Sequence, residues 1–223
     1  MSERVFSTRW HAEAGVEAWR VLPEGATAAF RTDSFAASIR FVDAIAALVT
    51  GDIMPNLDVR PDGVTVLLRA FKDEYGMTTD ELELARAISA AAAEQGLRPD
   101  PRAVQSLLVI PGAKDRTRIM PFWRAVLGYE PRPDSPDEDL VDPHDRLAPF
   151  WFEEMDELRA DGAGSIHLVV WVPWDEIAAR VQAGVDAGGR VVRHNTEEGF
   201  WTVADPAGNE IDIGATRGPE AAA

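Results

Sequence analysis

From Ser34 to Leu48 the apolar residues Phe35, Ile39, Val42, Ile45 and Ala46 recur at the spacing of one helix face, with Ser34 placed to cap its start. Val64–Phe71 reads as a strand, rich in β-branched and aromatic residues. Thr78 and Glu81 have the separation of a capping box and predict a helix to about Gln95, stopped by Gly96. Ala18–Leu22 and Thr27–Thr32 predict a hairpin around Pro23-Glu24-Gly25. The first part of the chain is thus expected to run β-β-α-β-β-α. Leu97–Arg102, with two prolines and several charges, reads as an interdomain linker.

Beyond it the pattern predicts a strand at Val104–Ile110, a helix at about Arg118–Leu127 ending on Gly128, and polar hairpin-like segments through Met155. A strand from Ile166, a helix at about Asp175–Ala187, and strands at Val191–Arg193, Phe200–Ala204 and Ile211–Ile213 follow. Strand, helix and strands therefore occur twice, which predicts a structural duplication. Pro131–Asp139 is expected to be a solvated loop, and Arg217–Ala223 a disordered tail. The expected fold class is α+β with two domains, at residues 1–98 and 103–216.

Charge and composition narrow the function. The formal net charge of −16 argues against nucleic acid and against anionic membrane surfaces as partners. Without any cysteine, disulfides, thiolate metal sites and cysteine nucleophiles are excluded. The N-terminus lacks a basic start followed by an apolar run, and no segment is long and apolar enough to span a bilayer, so a cytoplasmic location is expected. No Walker phosphate loop, dinucleotide fingerprint or nucleophile elbow is present.

The remaining chemistry is sparse. His167 in one predicted strand and Glu210 in another, just after Asp205-Pro-Ala-Gly-Asn, are candidate metal ligands. Trp151, Trp171 and Trp201 fall in strands, where aromatic side chains line an apolar pocket or fill a core. Strand alternation puts His167 and Trp171 on one face. His11 reads as a surface or capping residue, and His194 as exposed in a polar turn. Asp142, His144 and Asp145 read as a hydrogen-bonded loop.

Two resemblances sharpen this. Pro121-Phe-Trp-Arg-Ala-Val-Leu-Gly-Tyr, Ser165-Ile-His-Leu, Ala187-Gly-Gly and Asp205-Pro-Ala-Gly-Asn-Glu occur in the order seen in the vicinal-oxygen-chelate superfamily, and residues 103–215 resemble its glyoxalase and bleomycin-resistance-like proteins. The resemblance implies paired βαβββ modules cupped around a small-molecule site. By position it maps Gln105, His167 and Glu210 onto metal ligands, for Zn, Ni, Mn or Fe. The fourth ligand position, near Phe150–Glu153, falls on an apolar residue, with Glu153 nearby. Residues 5–96 resemble a pterin-4a-carbinolamine dehydratase through Glu17-Ala-Trp-Arg-Val-Leu, Ala29-Phe-Arg-Thr-Asp-Ser-Phe, Met54-Pro-Asn-Leu-Asp-Val and Gly76-Met-Thr-Thr-Asp-Glu. That family's paired histidines are replaced by Ile53-Met54, and its third falls on about Lys72. Neither Ile nor Met titrates near neutrality, so the resemblance implies the saddle-like fold without dehydration.

The expectation is a small-molecule-binding protein that holds an oxygenated or aromatic ligand with Trp151, Trp171, Trp201 and Glu153. The alternative is a metal-dependent enzyme of lyase, isomerase or dioxygenase type, with His167 and Glu210 as catalytic groups. A homodimer is compatible with either.

Overall fold

The computed structural model describes residues 3–70, 75–155, 165–195, 199–204 and 210–219. The chain divides into two compact units: Met1–Gln105 with Val172–Glu176 and Ala215–Ala223, and Ser106–Trp171 with Ile177–Gly214. Among the described residues no helix is long and apolar enough to cross a membrane.

Unit 1 runs β1 (Arg4–Val5), α1 (Ser7–Ala12), β2 (Trp19–Leu22), β3 (Gly25–Arg31), α2 (Phe35–Leu48), β4 (Asn56–Arg60), β5 (Gly63–Arg69), β6 (Met77–Thr78), α3 (Thr79–Glu94) and β7 (Arg98–Pro99). The main sheet has the antiparallel order β2-β3-β5-β4, with β7 on β3. In β5, alternation buries Val64, Val66 and Leu68 and leaves the residues between them half-buried. Those side chains meet Phe41 and Ile45 of α2 and Leu82, Ala85 and Ile88 of α3. Burial of each of the larger side chains contributes roughly 1.5–3 kcal/mol. The caps match the sequence: Ser34 accepts from the Ala37 amide, and Thr78 and Glu81 form a capping box. Gly96 adopts φ +68°, the left-handed geometry that ends a helix.

Leu97–Arg102 is not a free linker. Pro99 pairs with Phe30 and Arg98 with Arg31, and Arg31 holds Asp100. Proline is tolerated here because β7 is an edge strand.

Unit 2 contains β8 (Ser106–Ala113), α4 (Arg116–Leu127), β9 (Glu130–Arg132), β10 (Ser135–Val141), β11 (Phe150–Trp151), β12 (Glu153–Glu154), β13 (Ser165–Trp171), α5 (Ile177–Asp186), β14 (Arg190–Asn195), β15 (Phe200–Ala204) and β16 (Glu210–Gly214). They form one nine-stranded sheet, ordered β14-β15-β16-β13-β8-β11-β10-β9 with β12 also on β8. The duplication is plain in this order. Each half begins with a strand and a helix, and its last strand returns parallel to its first: Phe150 beside Val109, and Asp212 beside Val169. The halves join through seven antiparallel pairs between β8 and β13. Residues 131–139, expected as a loop, instead form most of the β9–β10 hairpin, with a register shift between Ser135 and Leu140. Arg132 anchors it by ion pairs to Asp134 at 2.8 Å and Asp139 at 2.9 Å. Leu140 is buried there with Tyr129, Phe150 and Phe152, beneath Ile119 and Trp123 of α4.

Candidate functional site

The registers of unit 2 decide which side chains share a face, because laterally paired residues project to the same side. His167 pairs with Ile110, Val169 with Leu108 and with Asp212, and Trp171 with Ser106 and with Gly214. Continuing the same registers by one or two residues sets Glu210 beside His167 and Trp151 beside Ile110. One transverse row therefore runs Asp139, Trp151, Ile110, His167, Glu210, Ala204. The next runs Leu108, Val169, Asp212, Thr202, Arg193, and a third runs Ser106, Trp171, Gly214, Phe200. Glu153, opposite Gly112, lies on the same face. The other face carries Val109 and Phe150, against which α4 packs.

On the His167 face Ile110 and Val169 are buried, His167, Trp151, Trp171, Glu153 and Asp212 are half-buried, and Glu210 is exposed. The rings of Trp171 and Phe200 meet edge to face at 5.1 Å. Gly214 makes room for them: a Cβ there would lie 2.7 Å from Phe200 and 3.2 Å from Trp171. The Arg193 guanidinium donates to the Thr202 hydroxyl at 3.2 Å, and that hydroxyl donates to the Asp212 carboxylate at 2.5 Å. The Ser106 hydroxyl and the Trp171 indole N–H are buried without a hydrogen-bond partner among the described residues. Buried polar groups of this kind are normally satisfied by water or a ligand. The arrangement offers aromatic rings, an imidazole and carboxylates on one sheet face, suited to holding a small molecule.

The expected residues distribute as follows. His167, Glu210, Trp151, Trp171 and Glu153 share one face. Trp201 lies on the other, paired with Ile213, and stacks on the His194 ring at 3.6 Å. His194 belongs to strand β14 rather than to a turn. Gln105 is exposed and precedes β8, one residue outside the ladder and five before the partner of His167. No three of the described His, Asp and Glu residues gather into a group able to hold a metal ion. The donor set present is thus a pair, His167 and Glu210, with apolar Ile110 and aromatic Trp151 continuing their row. A protein-held divalent ion ordinarily takes three or more donors. Asp205–Asn209 and Lys72 lie outside the described residues. Ser106, Phe200 and Gly214 were missed by sequence reasoning. Only the pairing register brings them to the face, and no local signal marks them.

Two other expected positions resolve clearly. Asp142 accepts from the backbone N–H groups of His144 at 2.9 Å and Arg146 at 3.0 Å, a hydrogen-bonded loop as expected, and these bonds hold its carboxyl below the usual range. A groove of about 1010 Å³ follows α4 and the β9–β10 hairpin, lined by Met120, Pro121, Tyr129 and Pro131. Its Arg116 is committed to Glu138, and it carries none of the candidate residues.

This part of the chain matches known proteins. The family model described as "Glyoxalase-like domain" matches residues 108–214. These residues are a glyoxalase-like domain. Its solved structural neighbours include a glyoxalase/bleomycin resistance protein/dioxygenase superfamily member from Vibrio splendidus 12B01, at 17% identity and TM-score 0.33, covering 50% of this chain and 99% of that one. A structure titled NAD-dependent benzaldehyde dehydrogenase from Legionella pneumophila matches at 16% identity and TM-score 0.38, again covering 50% and 99%. No curated protein matches the chain. The glyoxalase-like domain thus contains every residue of the three rows, apart from Ser106 at its edge.

Proposed function

We propose that this protein binds a small oxygenated or aromatic molecule on the His167 face of its glyoxalase-like domain, without a resident metal. The observation that carries the reading is the row Trp151, Ile110, His167, Glu210, in which an aromatic and an aliphatic side chain stand beside two polar ones. Trp171 and Phe200 supply apolar contact area. His167 and Glu210 fix orientation by hydrogen bonding. The metal-dependent alternative has one feature in its favour, the adjacency of His167 and Glu210 on parallel strands, but it needs a third donor.

Thermal-shift screening with a panel of small aromatic acids, ketones and phenols tests this. A hit should stabilise the protein by RT ln(1 + [L]/Kd), about 2.7 kcal/mol at a hundredfold excess over Kd. Trp171→Ala should abolish that shift while the ligand-free transition stays cooperative. Hits that survive Trp171→Ala unchanged contradict the reading.

The reading of unit 1 is a dehydratase-like domain that does not dehydrate. Ile53 is half-buried against the core and Met54 is exposed, and neither supplies an acid or base. Turnover of a freshly generated pterin carbinolamine at the rate of an intact dehydratase contradicts it.

A further inference from the structure

The outer edge of β2 in unit 1 is covered by a histidine and by the C-terminal segment. Neighbouring residues of an antiparallel strand direct their N–H and C=O groups to alternate sides, so Val21 presents both of its groups away from β3. Its N–H donates to His11 Nε2 at 3.1 Å, and its carbonyl accepts from the Thr216 hydroxyl at 2.6 Å. The other nitrogen of His11, Nδ1, lies 3.2 Å from the Arg217 carbonyl and must donate to it. These two bonds require one acceptor and one donor on the same ring, which only the neutral Nδ1–H tautomer provides. An imidazolium would turn an N–H toward the Val21 N–H.

The surroundings hold the segment over the ring. The Trp174 ring sits 6.2 Å from His11, and Gly218 packs so closely on Trp174 that a Cβ there would come within 2.6 Å of it. The charged groups facing His11 are Arg20 of β2 and Asp175 of the Val172–Glu176 segment. They are bound to each other, Nε to Oδ1 at 3.0 Å and Nη2 to Oδ2 at 2.5 Å, so Asp175 is not free to neutralise an imidazolium.

We propose that His11 is an acid-sensitive latch, whose protonation breaks the Val21 bond and releases the Ala215–Pro219 segment from the edge of β2. Burial holds His11 below the ordinary imidazole value, against the smaller opposing influence of the Arg217 carbonyl. The neutral ring's contribution is therefore complete above about pH 6.5 and is lost as pH falls below it. The released segment continues β16, which carries Glu210 and Asp212.

Hydrogen exchange on the full chain tests the latch. After correction for intrinsic rates, protection of the Val21 amide and of the amides of residues 215–218 should fall by up to about tenfold between pH 7.5 and 5.5, the factor by which a group of ordinary pKa in the open form favours opening there. His11→Gln keeps an acceptor and a donor on one side group and cannot titrate. It should retain protection at pH 7.5 and lose the pH dependence. Equal wild-type protection at both pH values, or full pH dependence in His11→Gln, overturns the proposal. Should that variant not fold, NMR titration of the wild-type His11 ring decides. Titration at or above the ordinary imidazole value, with the Val21 amide resonance unmoved, overturns it as well.

Discussion

Gly25→Ala will destabilise unit 1 by about 3–5 kcal/mol, the sum of backbone strain and overpacking. Gly25 has φ +144°, and a Cβ there would lie 2.0 Å from the Leu68 carbonyl oxygen and 2.9 Å from the Ala70 amide. Both obstacles are backbone, at the end of β5 and just beyond it, so no rotamer change relieves them. A domain holds only about 5–15 kcal/mol in total, and urea denaturation should show the first transition shifted far to lower denaturant. Gly51→Ala is the control: nothing lies within 4 Å of its Cβ position. It should change stability by no more than about 1 kcal/mol, in either direction. Equal midpoints for the two variants contradict the packing described for the start of β3.

The second large effect is expected at Arg132. Its guanidinium is the partner of Asp134 and Asp139, whose side chains are 5% and 4% exposed. Arg132→Ala leaves two buried carboxylates without this partner, and breaking a buried pair typically costs about 3–5 kcal/mol. Burial already raises the Asp139 carboxyl above its ordinary value, outweighing its bond to Ser135 and the charge of Arg132. A raised carboxyl stabilises the fold below its ordinary pKa and loses that contribution as pH rises through the folded value. Without Arg132 the loss should therefore be greatest near neutrality and smaller at about pH 4. Unfolding of unit 2 followed at both pH values checks this. A loss under about 1 kcal/mol, or one independent of pH, contradicts it.

These residues also show what the sequence could and could not reveal. Local signals were legible: the Thr78–Glu81 box, the Ser34 cap and the Gly96 and Gly128 stops appear where spacing predicted them. The duplicated strand–helix–strands order was legible too, since it depends on local periodicity. Features set by distant partners were not. Arg98–Pro99 looks like a linker until β3 is beside it, and 131–139 looks like a solvated loop until Arg132 finds Asp139. His11 reads as a surface or capping residue because its partners, Val21 and Arg217, come from separate segments. The trio of strand tryptophans is divided by register alone: Trp151 and Trp171 share the His167 face, and Trp201 takes the other. For the site, alternation within β13 was readable, whereas the neighbours of β13 were not.

Ligand binding on the proposed His167 face of the glyoxalase-like domain is directly measurable. The seven tryptophans, Trp10, Trp19, Trp123, Trp151, Trp171, Trp174 and Trp201, make indole N–H resonances a direct reporter of face. The measurement is a titration of nitrogen-15-labelled full-length protein with a ligand found by thermal shift. Shifts of the Trp151 and Trp171 indole signals are expected, with Trp201 and Trp123 unmoved. Saturable shifts of Trp201 or Trp123, with Trp151 and Trp171 unchanged, would contradict binding on that face.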